Sequence, residues 1–151
     1  MKPLIRPTRD AEIERLFEVR ATTRDNAISS ARLAELGITP ETLRQALQAG
    51  EMHSWVGLHE EQVVAFCNVH DQSGEVLVLA VQAGFEGRGL GRALLATAVR
   101  HLREVAGCSR IWLMAGADAG LRSHGFYRAQ GWRPSGVCDG HGDEELLLSA
   151  P

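Results

Sequence analysis

Between Val81 and Leu95 the chain reads VQAGFEGRGLGRALL, with Gly87, Gly89 and Gly91 at alternate positions and a run of leucine and alanine following at once. Three alternating glycines make a turn over which no Cβ projects, so the backbone is open to close approach. The run that follows has helical spacing, with Leu90, Leu94, Ala98, Leu102 and Val105 on one face and Arg92, Arg100 and Arg103 away from it. The first turn of such a helix offers N–H groups without intrahelical acceptors and the positive end of the helix dipole. An anion is the natural occupant of this junction. A turn whose glycines serve only chain geometry is the competing account, and it suits one glycine better than three.

The segment before the junction alternates at the period of strands. HSWVGL, a turn at His59-Glu60-Glu61, QVVAFCNVH, a turn at Asp71-Gln72-Ser73-Gly74, and EVLVLAV predict three antiparallel strands between Met52 and Val81. This setting excludes the two common nucleotide loops. A Walker A loop needs GxxxxGK[ST], whose lysine and hydroxyl are missing. The dinucleotide fingerprint needs GxGxxG after the first strand of a βαβ unit; here the spacing is GxGxG and the strand arrives from a hairpin.

The remaining pattern completes one domain over residues 1–151. Leu4-Ile5 reads as a short strand, and Asp10 opens a helical run through Ile13, Leu16, Phe17 and Arg20. Ser29-Ser30 and Thr39-Pro40-Glu41 are helix starts, with Thr39 as N-cap and Pro40 in the first turn. Gly107 ends the long helix, RIWLMA is a strand, Leu121 to Gln130 is a helix stopped by Gly131, and two last strands surround DGHGD. The fold class expected is α/β, on a mixed, mostly antiparallel sheet. A chain of 151 residues that is 44% hydrophobic and 23% charged suits a single core without linkers or repeats. Its net charge of −3 argues against broad binding to nucleic acid or anionic membrane. MKPLIRPTRDAE carries no apolar signal core, and no run approaches the roughly 18 apolar residues of a membrane span, so the cytoplasm is expected. Cys67, Cys108 and Cys138 are odd in number and lack metal-ligand spacing, which fits reduced thiols.

Val81-x-x-x-Phe85-x-Gly87-Arg88-Gly89-Leu90-Gly91 followed by RALL resembles the coenzyme A pyrophosphate loop of the GNAT superfamily of N-acetyltransferases, and GFYRAQGW, Gly125 to Trp132, resembles that family's tyrosine helix and glycine-aromatic exit. Element order agrees from about Leu4 to Leu148. The resemblance implies the GNAT acyltransferase fold and acetyl-CoA as cosubstrate. It also implies a pyrophosphate held by the backbone N–H groups of Gly87, Arg88, Gly89, Leu90, Gly91 and Arg92. Leu79, Ala80 and Val81 would pair with the pantetheine arm, with the Leu79 N–H facing the thioester carbonyl. Two positions depart from the family pattern. Glu86 stands where a glutamine or arginine usually opens the loop, and must turn outward or pair with Arg88 or Arg92. Gly120 stands where an asparagine often contacts the cofactor.

Amine acetylation requires a base for the incoming ammonium and an acid for the departing thiolate. By the resemblance Tyr127, the only tyrosine, is the acid, with aromatic packing beside Phe126 as the alternative. Glu75, six residues before Val81, matches the catalytic glutamate of the histone-acetylating branch, although it also suits the solvated start of a strand. His124 reads as a surface helix residue, and Cys138-x-x-His141 supplies too few ligands for a metal. Arg20, Arg24, Asp25 and Asn26 follow the first helix, where the family lines its acceptor pocket, and Asp139, Asp143 and Glu144 form an acidic turn able to attract an amine. Trp55 and Phe66 read as core. The expectation is an acetyl-CoA-dependent N-acetyltransferase using direct attack on a small-molecule or protein amine, without metal or covalent enzyme intermediate. A coenzyme A-binding or sensing module with little catalysis is the alternative. Members of the family are often homodimers.

Overall fold

In a computed structural model describing residues 2–24 and 27–149, the strands form a seven-stranded sheet. They are β1 (Leu4–Pro7), β2 (Met52–His59), β3 (Gln62–His70), β4 (Glu75–Val81), β5 (Ile111–Gly116), β6 (Trp132–Cys138) and β7 (Asp143–Leu148). Their order is β1-β2-β3-β4-β5-β7-β6, as a mixed, mostly antiparallel sheet requires. Only β4 and β5 run parallel; the other neighbours are antiparallel.

The parallel pair creates the site. Between β3 and β4 the register slips: Asn68 faces Val78 while Val69 faces Val76, leaving Leu77 as the extra residue. A bulge of this kind bends its strand and disrupts the ladder. Pairing of β4 with β5 is confined to Glu75 opposite Trp112, reinforced by the Trp112 N–H to Gly74 O at 3.2 Å and the indole Nε1–H to Ser73 O at 2.9 Å. Beyond that point the two strands diverge and leave a wedge inside the sheet.

Helices cover both faces. On one side α1 (Ile13–Ala21), entered through a 3-10 turn at Asp10–Glu12, packs with α2 (Ser30–Glu35) and α3 (Pro40–Gln48). Ile13, Leu16, Phe17, Leu33 and Leu43 meet Val56, Val63, Phe66 and Ala80 there. The expected caps are present. The Ser29 hydroxyl accepts from the Arg32 N–H, and Thr39 and Thr42 exchange reciprocal side-chain-to-backbone bonds, each cap worth about 1 kcal/mol.

On the other side α4 (Leu90–Arg100) and α5 (Arg122–Ala129) cover Val64, Cys67, Val69, Leu113 and Leu146. Trp55 is buried in this core and Phe66 in the opposite one, as the sequence suggested. The long helix differs from its sequence pattern, because after Arg100 it widens into a π-helical turn over His101–Val105, closed by the Ala106 N–H to His101 O at 3.0 Å. The extra residue in that turn rotates Val105 off the apolar stripe. Leu102 stays buried, whereas Val105 is 74% exposed instead of continuing the buried face. Among the described residues no helix is long and apolar enough to cross a membrane.

Candidate active site

A cleft of about 770 Å³ fills the wedge between β4 and β5. Its walls come from β4 and β5, from the glycine-rich turn with the start of α4, and from α5 and the end of α1. Gly89, with φ of +82°, is the N-cap of α4, and Gly87 has φ of +75°. Both occupy the left-handed region that favours glycine, so chain geometry accounts for these two without any ligand. Gly91 differs, being helical, with an added Cβ reaching only ordinary contact with Phe126 at 3.5 Å and Val81 at 3.7 Å.

The first intrahelical bond of α4 is the Ala93 N–H to Gly89 O, so the N–H groups of Leu90, Gly91 and Arg92 precede it. They stand at the positive end of the helix, on residues that line the cleft. The Thr23 and Ser123 hydroxyls are buried with no hydrogen-bond partner among the described residues, and both residues line the same cleft. A buried hydroxyl without a partner asks for an explanation, and a polar ligand in the cleft would supply one for both.

Sequence and fold comparisons agree on the origin of this arrangement. The chain matches the acetyltransferase (GNAT) family over residues 12–132. It belongs to that family. No curated protein matches it in sequence. Solved structures share the fold at low identity. The PaiA N-acetyltransferase of Thermoplasma acidophilum, in complex with coenzyme A, superposes with a TM-score of 0.81 at 16% identity, over 99% of this chain and 100% of that one. NAA60 of Arabidopsis thaliana, in complex with a bisubstrate analogue, gives 0.70 at 15%, over 99% and 100%. The ribosomal-protein-S18-alanine N-acetyltransferase of Escherichia coli gives 0.70 at 15%, over 99% and 96%.

Of the residues that the GNAT resemblance singled out, Leu79, Ala80, Val81, Gly87, Gly89, Leu90, Gly91, Arg92 and Tyr127 all line the cleft. Arg88 is not among the lining residues; its guanidinium lies over the Phe85 ring at 5.4 Å. Tyr127 is buried edge-on between Phe126 and Trp132, at centroid distances of 5.2 and 6.0 Å. Burial pushes its phenol well up, Cys67 adds to the rise, and Arg20 opposes it. Burial likewise pushes the Cys67 thiol up to about 12, as an inert reduced cysteine requires.

Glu75 sits at the closed end of the wedge and does not line the cleft. Val76, Leu79 and Val81 pack on the α4 side, Val78 and Ala80 on the other. By strand alternation at Val76, Glu75 therefore faces the side of Val78 and Ala80, and the bulge at Leu77 breaks its even-numbered relation to Val81. Burial raises its carboxyl above the ordinary range, His70 opposes the rise and Glu145 adds to it.

Glu86 neither turns outward nor pairs with Arg88 or Arg92. Its carboxylate accepts the Gly84 N–H at 2.8 Å and meets Arg24 at 3.1 Å and Arg122 at 3.9 Å. Backbone hydrogen bonding, foremost from its own N–H, and these arginines hold it below the usual carboxylate range. Gly120 precedes α5 in a turn where its N–H donates to Asp118 Oδ1 at 2.8 Å. Asp25 and Asn26 lie outside the described residues.

The acidic turn divides in function. Asp139 caps its own hairpin through the His141 and Asp143 N–H groups, Glu144 pairs with Arg128, and only Asp143 reaches the cleft, its carboxyl raised by burial and by Asp139. His124 and the Cys138/His141 pair stand apart from the cleft lining. A group outside the cleft escaped the sequence reading. Asp71 accepts from His53 Nδ1 and His101 Nε2, each at 2.9 Å, so three potential metal ligands converge from positions too far apart in the chain to form a motif. Sequence reasoning also missed Arg122, whose one signal is a cation in the first turn of a helix, where the dipole disfavours it.

Proposed function

We propose that this GNAT domain transfers the acetyl group of acetyl-CoA to a primary amine by direct attack. The observation that carries the reading is the convergence, on one cleft, of the free N–H groups at the start of α4, the unpaired edge of β4 and the Tyr127 side chain. Acetyl-CoA supplies the electrophilic thioester carbonyl and the thiolate that leaves.

The backbone from Gly87 to Arg92 takes the pyrophosphate, an arrangement that depends on N–H groups and survives the presence of Glu86. Leu79, Ala80 and Val81 hold the pantetheine arm through their free edge, and the Leu79 N–H faces the carbonyl oxygen as negative charge develops there. The incoming ammonium loses one proton before attack and a second as the tetrahedral adduct collapses, and the departing sulfur gains one. Tyr127 donates to the sulfur. Glu75 takes up the amine's proton through water, since its carboxyl stands outside the cleft lining, and its raised affinity for a proton suits that task.

The departures at Glu86 and Gly120 are the features that favour a binding module; the pairing of Glu86 with Arg24 and Arg122 answers the first of them. Purified protein mixed with acetyl-CoA and a panel of amines should release free thiol in an amine-dependent way. Coenzyme A binding without thiol release from any amine would reverse the choice.

A further inference from the structure

A second cavity, of about 380 Å³, lies between the α1–α3 layer and the sheet and shares Arg20, Leu77 and Val78 with the cleft. Most of its wall is apolar, including Leu16, Phe17, Leu43 and Phe66. Three polar residues interrupt it, and the hydroxyl of one, Thr42, is already donated to Gly37 O and Thr39 O at the start of α3. Asn68 is 5% exposed, and its Oδ1 has no hydrogen-bond donor among the described residues. Arg20, on the last turn of α1, is half-buried and has no carboxylate partner among the described residues. Burial pulls its guanidinium below the ordinary value, and Tyr127 opposes the shift.

A guanidinium remains charged in a protein, and one half withdrawn from water with no carboxylate beside it among the described residues favours an anion at this position. The pyrophosphate does not answer it, because its N–H cradle belongs to the turn before α4, whereas Arg20 neighbours the tyrosine assigned to the sulfur. The lone Oδ1 of Asn68 calls for a donor, and the cavity calls for an apolar body.

We propose that the acceptor is a free α-amino acid with an apolar side chain, its carboxylate held by Arg20, its amine hydrogen-bonded to Asn68 Oδ1 and its side chain in the apolar cavity. This rests on the acetyltransferase reading. One carbon of such a molecule carries all three groups that the site asks for. A polyamine offers Arg20 no anion and would place cations against an arginine and an apolar wall. A peptide N-terminus offers a neutral carbonyl where the anion is needed.

The test compares thiol release from acetyl-CoA with leucine, methionine and phenylalanine against leucinamide, isoamylamine, spermidine and a leucyl dipeptide, with coenzyme A affinity measured by calorimetry in parallel. Leucine should exceed leucinamide and isoamylamine at least tenfold in kcat/KM. Arg20→Gln should abolish that preference through KM, and Arg20→Lys, which keeps the charge, should restore part of it. Asn68→Leu, close in shape but without the acceptor oxygen, should raise KM for leucine. Leucine and leucinamide used equally, or spermidine or the dipeptide preferred, would overturn the inference while leaving the acetyltransferase reading intact. Coenzyme A binding with no amine acetylated would overturn both.

Discussion

Replacing Tyr127 with phenylalanine deletes one oxygen from a side chain that lines the cleft. That hydroxyl makes no hydrogen bond to another described residue, while the ring itself packs edge-on against Phe126 and Trp132. Tyr127→Phe therefore removes no bond within the fold, and its unfolding free energy should stay within about 0.5 kcal/mol of the parent. Catalysis should respond more. Burial raises the phenol further above a thiol, whose ordinary pKa is about 8.5, so complete proton transfer to the departing thiolate is uphill. The hydroxyl acts first through the hydrogen bond it donates as charge develops on the sulfur, ahead of the proton transfer itself, a contribution of about 1.5–3 kcal/mol. At about 1.4 kcal/mol per decade, turnover should fall roughly ten- to a hundredfold. Steady-state thiol release with a saturating amine measures it, alongside calorimetry for coenzyme A, which should bind within about twofold of the parent. Undiminished turnover would remove Tyr127 from the mechanism, and a matching loss of affinity would reassign it to binding.

Gly74→Ala should be among the most damaging single changes: its φ is +77°, an added Cβ would lie 2.0 Å from Arg110 O, and its own carbonyl helps join β4 to β5. A loss on the order of 3 kcal/mol or more is expected, lowering the melting temperature by about 6–12 °C, and a melt indistinguishable from the parent would contradict the packing described. Glu86→Gln removes the carboxylate that neutralises Arg24 beside the cleft, so coenzyme A should bind more tightly, with the gain shrinking as the Debye length falls from about 30 Å at 0.01 M salt to about 10 Å at 0.1 M. Equal affinities at both salt concentrations would discard the field argument. For Glu75, burial holds the folded pKa above the unfolded value, so its contribution is full below the unfolded pKa, about 4.3, and is lost as pH rises through the folded pKa. Glu75→Gln should therefore melt above the parent near pH 7 and converge with it near pH 4; a difference independent of pH would exclude burial of the carboxylate as its source.

What the sequence revealed and what it withheld divide along chain separation. The three-strand meander, the caps at Ser29 and Thr39 and the strand–turn–helix at Val81–Leu95 are written in neighbouring residues, and all are present. The site depends on a register slip at Leu77, an ordinary leucine in an apolar run, and nothing local marks it. That slip leaves Glu75 on the opposite face from Val81, although the two stand six residues apart on one strand. The arginines near Glu86 in the chain are Arg88 and Arg92, whereas its partners Arg24 and Arg122 come from the loop after α1 and the start of α5. The π turn at His101–Val105 was equally hidden, because the spacing of leucines up to Leu102 fits an unbroken helix.

The single pairing of Glu75 with Trp112 makes the sheet two sheets joined at a corner, one built from β1 to β4 and the other from β5, β7 and β6. Along the rest of the seam, no ladder pairing joins the two strand edges among the described residues. Exposed edges of this kind are templates for any extended chain that carries donors and acceptors, a second protein molecule included. An occupant of the wedge therefore substitutes for an absent strand as well as being bound. Its free energy is added to that of folding in proportion to the logarithm of its concentration, so the emptied domain should be both the less stable and the more prone to self-association.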